Sequence, residues 1–334
     1  MTPDAALGDG AEDAIEEAVR ALRRGELIGL PTETVYGLAA AVTNRAAVRR
    51  IFAVKGRPAG HPLIVHLAAA DDPARWVQPP PGAPSAQFEA LAAAFWPGPL
   101  TLVTLRRPSV PSEVTGGRPT VGVRSPDHPL AQRLLERLGE PVAAPSANRF
   151  GRVSPTTAAD VRAELGDAVA VVLDGGPCVV GVESTIVELG AGGPMLLRPG
   201  GIPAEVIAEV LGRPLLAAEG PARASGMLAS HYAPDARVVV VEPGEVGRRA
   251  AELAAAGRRV GVITRSSPAP AGVVLLGEAA DAAEYARTLY RRLREADEHR
   301  LDVVVVAAPP RGGLGEAVLD RLSKAAAPRP APGA

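Results

Sequence analysis

Short apolar runs, each broken by a glycine, a proline or a hydroxyl-rich turn, recur along the chain: 27–30, 62–67, 100–105, 120–124, 142–145 and 169–173, then 237–241, 260–264, 273–276 and 303–307. Runs this short suit buried strands, because a buried helix needs ten residues or more. The stretches between them carry the helical period. Ile15, Val19 and Leu22 share one face of 12–24, which Gly25 ends, and Val48, Ile51 and Phe52 share one face of 45–54, which Asn44 can cap. Further helices are predicted over 86–95, 129–138, 154–165, 203–211, 245–256, 280–296 and 314–324. Strands alternating with helices make this an α/β chain.

Residues 213–234 interrupt the alternation. They lack apolar periodicity and carry Gly220-Pro221, Gly226-Met227 and His231-Tyr232-Ala233-Pro234, which reads as an ordered linker. The chain thus divides into a first domain over 1–212, a linker over 213–235 and a smaller, doubly wound parallel-sheet domain over 236–324. A tail over 325–334 is expected to be disordered. Neither part contains G-x-G-x-x-G or a Walker A sequence, so no dinucleotide fingerprint or P-loop is present.

The polar loops that end the strands are the candidates for chemistry. Pro31-Thr32-Glu33-Thr34-Val35-Tyr36-Gly37 places hydroxyls, a carboxylate and a phenol after the first strand, as a ligand-facing loop or as the turn of a hairpin. Lys55 and Arg57 flank Gly56 at a helix end. They suit a polyphosphate or simply complement the helix dipole. If they form a phosphate clamp, replacing either by alanine should depress turnover and leave stability nearly unchanged. His66 and Arg124 stand at strand ends, and Ser146-Ala147-Asn148 follows a strand, where a hydroxyl and an amide can face one crevice or form a local turn.

Composition narrows the function. Lysine plus arginine total 36 against 37 acids, and aromatics are 3%, which offers nucleic acid neither a global electrostatic pull nor a stacking platform. A lone Cys178 supports no internal disulfide and no multi-cysteine metal site. No apolar run approaches the ~20 residues of a membrane span, and the polar N-terminal segment has no signal-like core. The expected location is cytoplasmic.

Taken jointly, the segment 31–38, the K-x-R of Lys55 and Arg57 with its downstream Pro62-Leu63-Ile64-Val65-His66, the S-x-N of Ser146 and Asn148, Glu183-Ser184-Thr185-Ile186-Val187 and Leu197-Arg198-Pro199-Gly200 resemble the YrdC-type threonylcarbamoyl-AMP synthases over about residues 12–212. Gly226-Met227 and His231-Tyr232-Ala233-Pro234 resemble the linker of the two-domain form. The resemblance implies a twisted mixed-sheet YrdC-like domain followed by a Rossmann-like α/β domain. It also implies a nucleotidyltransferase that makes L-threonylcarbamoyladenylate and pyrophosphate from L-threonine, bicarbonate and ATP. The product would pass to a tRNA threonylcarbamoyl transferase complex for position 37 of ANN-decoding tRNAs, with weak or no direct tRNA binding. By this resemblance Lys55, Arg57, His61, Thr120, Ser146, Asn148, Ser154, Arg198, His231 and Tyr232 hold ATP, and Thr34, His66, Arg124, Ala144 and Ser184 hold threonine. Lys55 and Arg57 would also offset charge on the triphosphate. Mg2+ would be held through the ATP phosphates, with no metal site of the protein's own. His61 stands where the family carries asparagine, and a neutral histidine can donate a similar hydrogen bond. The competing reading, an RNA-binding module without catalysis, is disfavoured by the near-neutral charge. A carbamoyl-transferring maturation enzyme would need zinc-finger cysteines that this chain lacks.

Overall fold

A computed structural model describes residues 9–79, 85–218, 231–265 and 268–328. The proline-rich loop over 80–84, Gly220-Pro221, Gly226-Met227 and the tail beyond 328 lie outside the described residues. The first part runs α1 (Asp9–Arg23), β1 (Ile28–Leu30), β2 (Gly37–Ala41), α2 (Arg45–Lys55), β3 (Ile64–His66), β4 (Val77–Gln78), α3 (Ser85–Phe95), β5 (Leu100–Arg106), α4 (Ser112–Thr115) and β6 (Thr120–Arg124). It continues with α5 (Pro129–Leu138), β7 (Val142–Ala143), α6 (Ala158–Leu165), β8 (Val171–Val172), β9 (Thr185–Gly190), β10 (Gly193–Arg198), α7 (Ala204–Leu211) and β11 (Leu216–Ala217). Its strands form one mixed sheet in the order β11-β10-β9-β5-β6-β3-β7-β2-β1-β8, with β4 paired to β5.

Helices cover this sheet by burying the faces that the periodicity predicts. Ile15, Val19 and Leu22 of α1 pack with Leu130, Leu134 and Leu135 of α5, while Val48, Ile51 and Phe52 of α2 pack with Val65, Val121 and Val123. Each such fully buried aliphatic side chain is worth ~1.5–3 kcal/mol, enough to hold α1 in place despite its polar outer face.

Several differences from the sequence reading have physical causes. β2 reads Gly-Leu-Ala-Ala-Ala, poor strand formers by propensity, and becomes a strand because β1 and β7 pair with both of its edges. The segment Glu183-Ser184-Thr185-Ile186-Val187 becomes strand only from Thr185. The turn after β10 presses on the preceding residues, so that a Cβ on Gly200 would lie 2.4 Å from the Glu183 carbonyl. The expected linker starts as structure, since β11 pairs in parallel with β10. His231, Tyr232 and Ala233 are buried.

The second part is β12 (Arg237–Val241), α8 (Val246–Ala255), β13 (Val260–Thr264), β14 (Val274–Glu278), α9 (Ala282–Glu298), β15 (Val303–Ala307) and α10 (Leu314–Ala326). Its sheet is parallel throughout, in the order β12-β15-β13-β14. Alternation along β15 shows the double winding. Val303, Val305 and Ala307 pack toward α8, while Val304 and Val306 pack toward α9 and α10. The last helix runs to Ala326, and Ala325 is buried, so the segment expected to be disordered begins as helix.

The two sheets share a core. Val35, Val153 and Val182 of the first part cluster with Tyr285, Leu289, Tyr290 and Leu293 of α9. Gly181 lies so close that a Cβ there would stand 2.4 Å from the Arg287 Cα. This contact sets α9 and α10 against the strand ends that carry the polar loops. Among the described residues, no helix is long and apolar enough to cross a membrane.

Candidate active site

The loop between β1 and β2 is folded by its own hydroxyls. Thr32 Oγ1 donates to the Val35 carbonyl at 2.6 Å and lies 2.8 Å from Thr34 Oγ1, an arrangement that turns the chain in a few residues. The Tyr36 hydroxyl donates to the Gly176 carbonyl at 2.8 Å and accepts from the Gly175 N–H at 3.0 Å, and burial pushes its pKa up. Both proposed characters of this segment are therefore present: it is a hairpin turn, and it faces a cavity.

That cavity is lined by Thr34, His66, Arg124, Ala144 and Ser184 together with Arg57, Ser146, Arg198, His231 and Tyr232. The parallel register of β3 and β6 sets His66 beside Arg124. Arg124 is buried. Its Nε donates to the Gly98 carbonyl at 3.1 Å, its Nη1 donates to Thr34 Oγ1 at 2.9 Å, and its Nη2 lies 2.6 Å from Glu33 Oε1. Hydrogen bonds take two of its five N–H groups and Nη2 faces Glu33 as an ion pair, so the guanidinium keeps donors for a carboxylate. His66 Nδ1 lies 3.2 Å from the Ile64 carbonyl, which can only accept, so Nδ1 carries the proton and Nε2 is left as an acceptor. Ser184 Oγ is 2.8 Å from Thr101 Oγ1 and accepts from Arg198 Nη2 at 3.2 Å.

On the other wall, Gly56 adopts φ +63° and ends α2. The Arg57 N–H reaches back to the Phe52 carbonyl at 2.9 Å, and Arg57 Nη2 donates to the Pro62 carbonyl at 3.0 Å. Burial lowers Arg57 to about 10, which leaves it cationic.

Five predicted residues stand behind or beside the cavity wall. Lys55 is buried, and its Nζ donates to the carbonyls of Ser146 (2.5 Å) and Asn148, so it ties α2 to the S-x-N loop. The expectation that Lys55 could be removed at little cost in stability therefore fails, because a buried cation with backbone acceptors is part of the loop's support. Asn148 Nδ2 donates to the carbonyls of Arg149 and Arg152 at 2.7 and 2.9 Å, and the Ser154 hydroxyl donates to Glu183 Oε1 at 2.6 Å. His61 packs edge-on against Phe150 at 5.6 Å, and Phe150 in turn packs edge-on against His231 at 5.9 Å. Thr120 lies on the same face of β6 as Arg124 but four residues earlier, ~13 Å away along the strand.

The residues missed from sequence are Thr32, Glu33, Glu183, Phe150, Tyr290 and Arg321. Glu33 and Glu183 lie inside the motifs already singled out. Arg321 had a local signal, since it interrupts the apolar stripe of Ala317, Val318, Leu322 and Ala325 on α10. Tyr290 and Phe150 had none. Tyr232 holds φ +62°, a backbone state that costs a bulky residue ~1–2 kcal/mol. Its ring stacks on Tyr290 at 5.8 Å beneath the Arg321 guanidinium at 5.2 Å, which offsets that cost. As it stands the cavity has a free volume of about 40 Å³, room for about three waters. Among the described residues, no group of His, Cys, Asp and Glu side chains is placed to hold a metal ion.

Burial, and then Arg124, depresses His66 to about 3, and burial depresses His231 to about 3, against an ordinary value of 6.5. Both are neutral near pH 7. Between pH 6.5 and 3 the unfolded chain binds protons that the folded chain refuses, so stability is fully present above pH 6.5 and falls as pH falls. The slope is ~1.4 kcal/mol per pH unit for each histidine once pH is well below 6.5. Urea unfolding at pH 7.5, 6.0 and 5.0 is expected to show a falling midpoint, with a shallower fall in a His66→Gln variant. A midpoint constant over that range would contradict the buried, neutral assignment.

Comparison with known proteins shows the family to which the chain belongs. Residues 20–200 match the Sua5/YciO/YrdC family, described as telomere recombination, and residues 202–327 match the Sua5 C-terminal family, described as threonylcarbamoyl-AMP synthase, C-terminal domain. The threonylcarbamoyl-AMP synthase of Pyrococcus abyssi is 42% identical over 316 residues, covering 91% of each chain. That of Bacillus subtilis is 40% identical over 328 residues, covering 94% of this chain and 93% of its own. Among solved structures, P. abyssi Sua5 complexed with L-threonine superposes with a TM-score of 0.87 at 40% identity, covering 93% of this chain and 94% of that one.

Proposed function

The chain belongs to the Sua5/YrdC family of threonylcarbamoyl-AMP synthases, and from that premise we propose that its cavity makes L-threonylcarbamoyladenylate from L-threonine, bicarbonate and ATP, releasing pyrophosphate. The observation that carries the reading is the meeting, in one cavity, of an amino-acid subsite (Thr34, His66, Arg124, Ser184) with a cationic subsite (Arg57, Arg198) beside the S-x-N loop. The relative solved with L-threonine supports the first subsite.

The two subsites divide the chemistry. Arg124 pairs with the threonine carboxylate, and the acceptor Nε2 of His66 with the hydroxyls of Thr34 and Ser184 receives the substrate's hydroxyl and amine. The unprotonated amine captures bicarbonate as a carbamate, with loss of water. A carbamate oxygen then attacks the α-phosphorus and the bond to pyrophosphate breaks. Arg57 and Arg198 face the charge that gathers on the leaving phosphates, a contribution by position and electrostatics. His66 is too weakly basic to take a proton in this step, so its role is to accept a hydrogen bond. Lys55 and Asn148 act through the loop that carries Ser146. Thr120 and His61 stand outside the cavity lining, toward the far end of the nucleotide, and Ser154 acts through Glu183. Mg2+ accompanies ATP through the phosphate oxygens. The product passes to the tRNA threonylcarbamoyl transferase complex in the cytoplasm, with little direct contact between this chain and tRNA.

The test is pyrophosphate release from ATP in bicarbonate buffer with each amino acid in turn. Threonine is expected to support turnover. Valine, which has the same shape without the hydroxyl, is expected to be worse by ~10³-fold or more, because the site's polar groups would be left unpaired. Equal turnover with valine, or release independent of any amino acid, would overturn the assignment.

A further inference from the structure

Among the described residues that line the cavity, Glu183 is the one acid, and it shares the wall with Arg57 and Arg198. A bare carboxylate there would repel a polyphosphate far more strongly than in water. Its oxygens are engaged by other groups. Ser154 Oγ donates to Oε1 at 2.6 Å, and Arg321 Nε donates to Oε2 at 2.7 Å. The Tyr290 hydroxyl lies 3.1 and 2.9 Å from the two oxygens. Arg198 donates to the Ser184 carbonyl at 2.8 Å and to Ser184 Oγ. Tyr290 comes from α9 and Arg321 from α10, both in the second domain, and Arg321 is fully buried, with Nη1 also bonding the Pro199 carbonyl at 3.0 Å.

We propose that Arg321 and Tyr290 are positioning residues for nucleotide binding: from the second domain they saturate Glu183 and keep an uncompensated carboxylate from facing the phosphates. The inference deepens the reading of this cavity as an ATP site and rests on it. Burial alone would raise the Glu183 pKa, but Arg321, Arg198 and the Ser154 hydroxyl outweigh burial and hold it at about 2, so the carboxylate stays charged and depends on these partners. The second domain thereby becomes part of the site rather than an appendage to it. The close approach at Gly181 agrees: α9 packs against the first domain too closely to be a loosely tethered neighbour.

The experiment uses the full chain with Arg321→Met, Tyr290→Phe, Glu183→Gln and the Glu183→Gln/Arg321→Met double variant. KM for ATP and kcat are read from threonine-dependent pyrophosphate release, and threonine Kd is read by calorimetry. Arg321→Met is expected to raise the ATP KM ~10- to 100-fold while threonine Kd stays within about twofold. The double variant is expected to recover most of that loss, since glutamine has no charge to compensate. Tyr290→Phe keeps the ring and its packing and is expected to raise the ATP KM ~3- to 10-fold. It carries the test if Arg321→Met does not fold. An unchanged ATP KM in Arg321→Met or in Tyr290→Phe, or no recovery in the double variant, overturns the proposal. If the wild type binds ATP by calorimetry yet shows no threonine-dependent release, the proposed reaction fails while ATP Kd across the same variants still decides this inference. A wild type that binds no ATP overturns both.

Discussion

Replacing Arg124 by glutamine is expected to weaken threonine binding by ~1.5–3 kcal/mol, or roughly 10- to 150-fold in Kd, through loss of a charge-assisted contact to the substrate carboxylate. The structure adds a second consequence. Arg124 is the ion-pair partner of Glu33, both side chains being 4% exposed, and it also holds Thr34 Oγ1 and the Gly98 carbonyl. Removing one member of a buried pair strands the other, at ~3–5 kcal/mol of folding stability. Among the described residues, Glu33 then keeps the Asp127 N–H, at 3.0 Å to Oε2. The Glu33→Gln/Arg124→Gln double variant is therefore expected to regain stability without regaining threonine affinity. Calorimetry with each ligand separates binding from folding. Comparable losses for ATP and threonine would mean that Arg124 supports the fold or the phosphates rather than the amino acid.

Lys55→Ala is expected to lose both stability and turnover. The ammonium, 3% exposed, donates to the carbonyls of Ser146 and Asn148, and the Lys55 carbonyl in turn accepts from the Phe150 N–H at 2.8 Å. Losing two hydrogen bonds from a charged donor costs ~3–5 kcal/mol, because alanine leaves both carbonyls buried without a partner. Burial, and then Arg57, pushes the Lys55 pKa well down, and Glu164 and Glu183 oppose that shift. An S-x-N loop free to shift by an ångström misplaces Ser146, which lines the cavity, and turnover is expected to fall ~100-fold. Arg57→Ala, at a residue that lines the cavity directly, should cost turnover with a smaller loss of stability. Denaturation midpoints and pyrophosphate release decide between the two roles. A Lys55→Ala midpoint equal to wild type would remove the tether, and wild-type turnover would remove Lys55 from the site altogether.

The sequence by itself determined the elements and most of the chemistry-bearing residues, because those signals are local. Apolar periodicity puts Ile15, Val19 and Leu22, and Val48, Ile51 and Phe52, in the core, and Gly56 stops α2 where only a residue tolerant of positive φ fits easily. Polar residues after strands mark Thr34, His66, Arg124 and Ser146, since the carboxyl ends of strands are where an α/β sheet opens, and Ser184 is marked by its motif. What only the tertiary structure decided is which way those side chains spend their hydrogen bonds. Lys55, Asn148 and Ser154 carry the right groups in the right motifs, yet their polar atoms are directed at backbone carbonyls and at Glu183. A buried donor takes whatever acceptor the fold brings near, and no spacing in the chain encodes that choice. The same holds for strand β2, whose alanines became strand through pairing, and for the engagement of Glu183 by Tyr290 and Arg321, which stand 107 and 138 residues from it in the chain. Contacts at that separation form only when two sheets dock, so the second domain's share in the site is a property of the packed molecule.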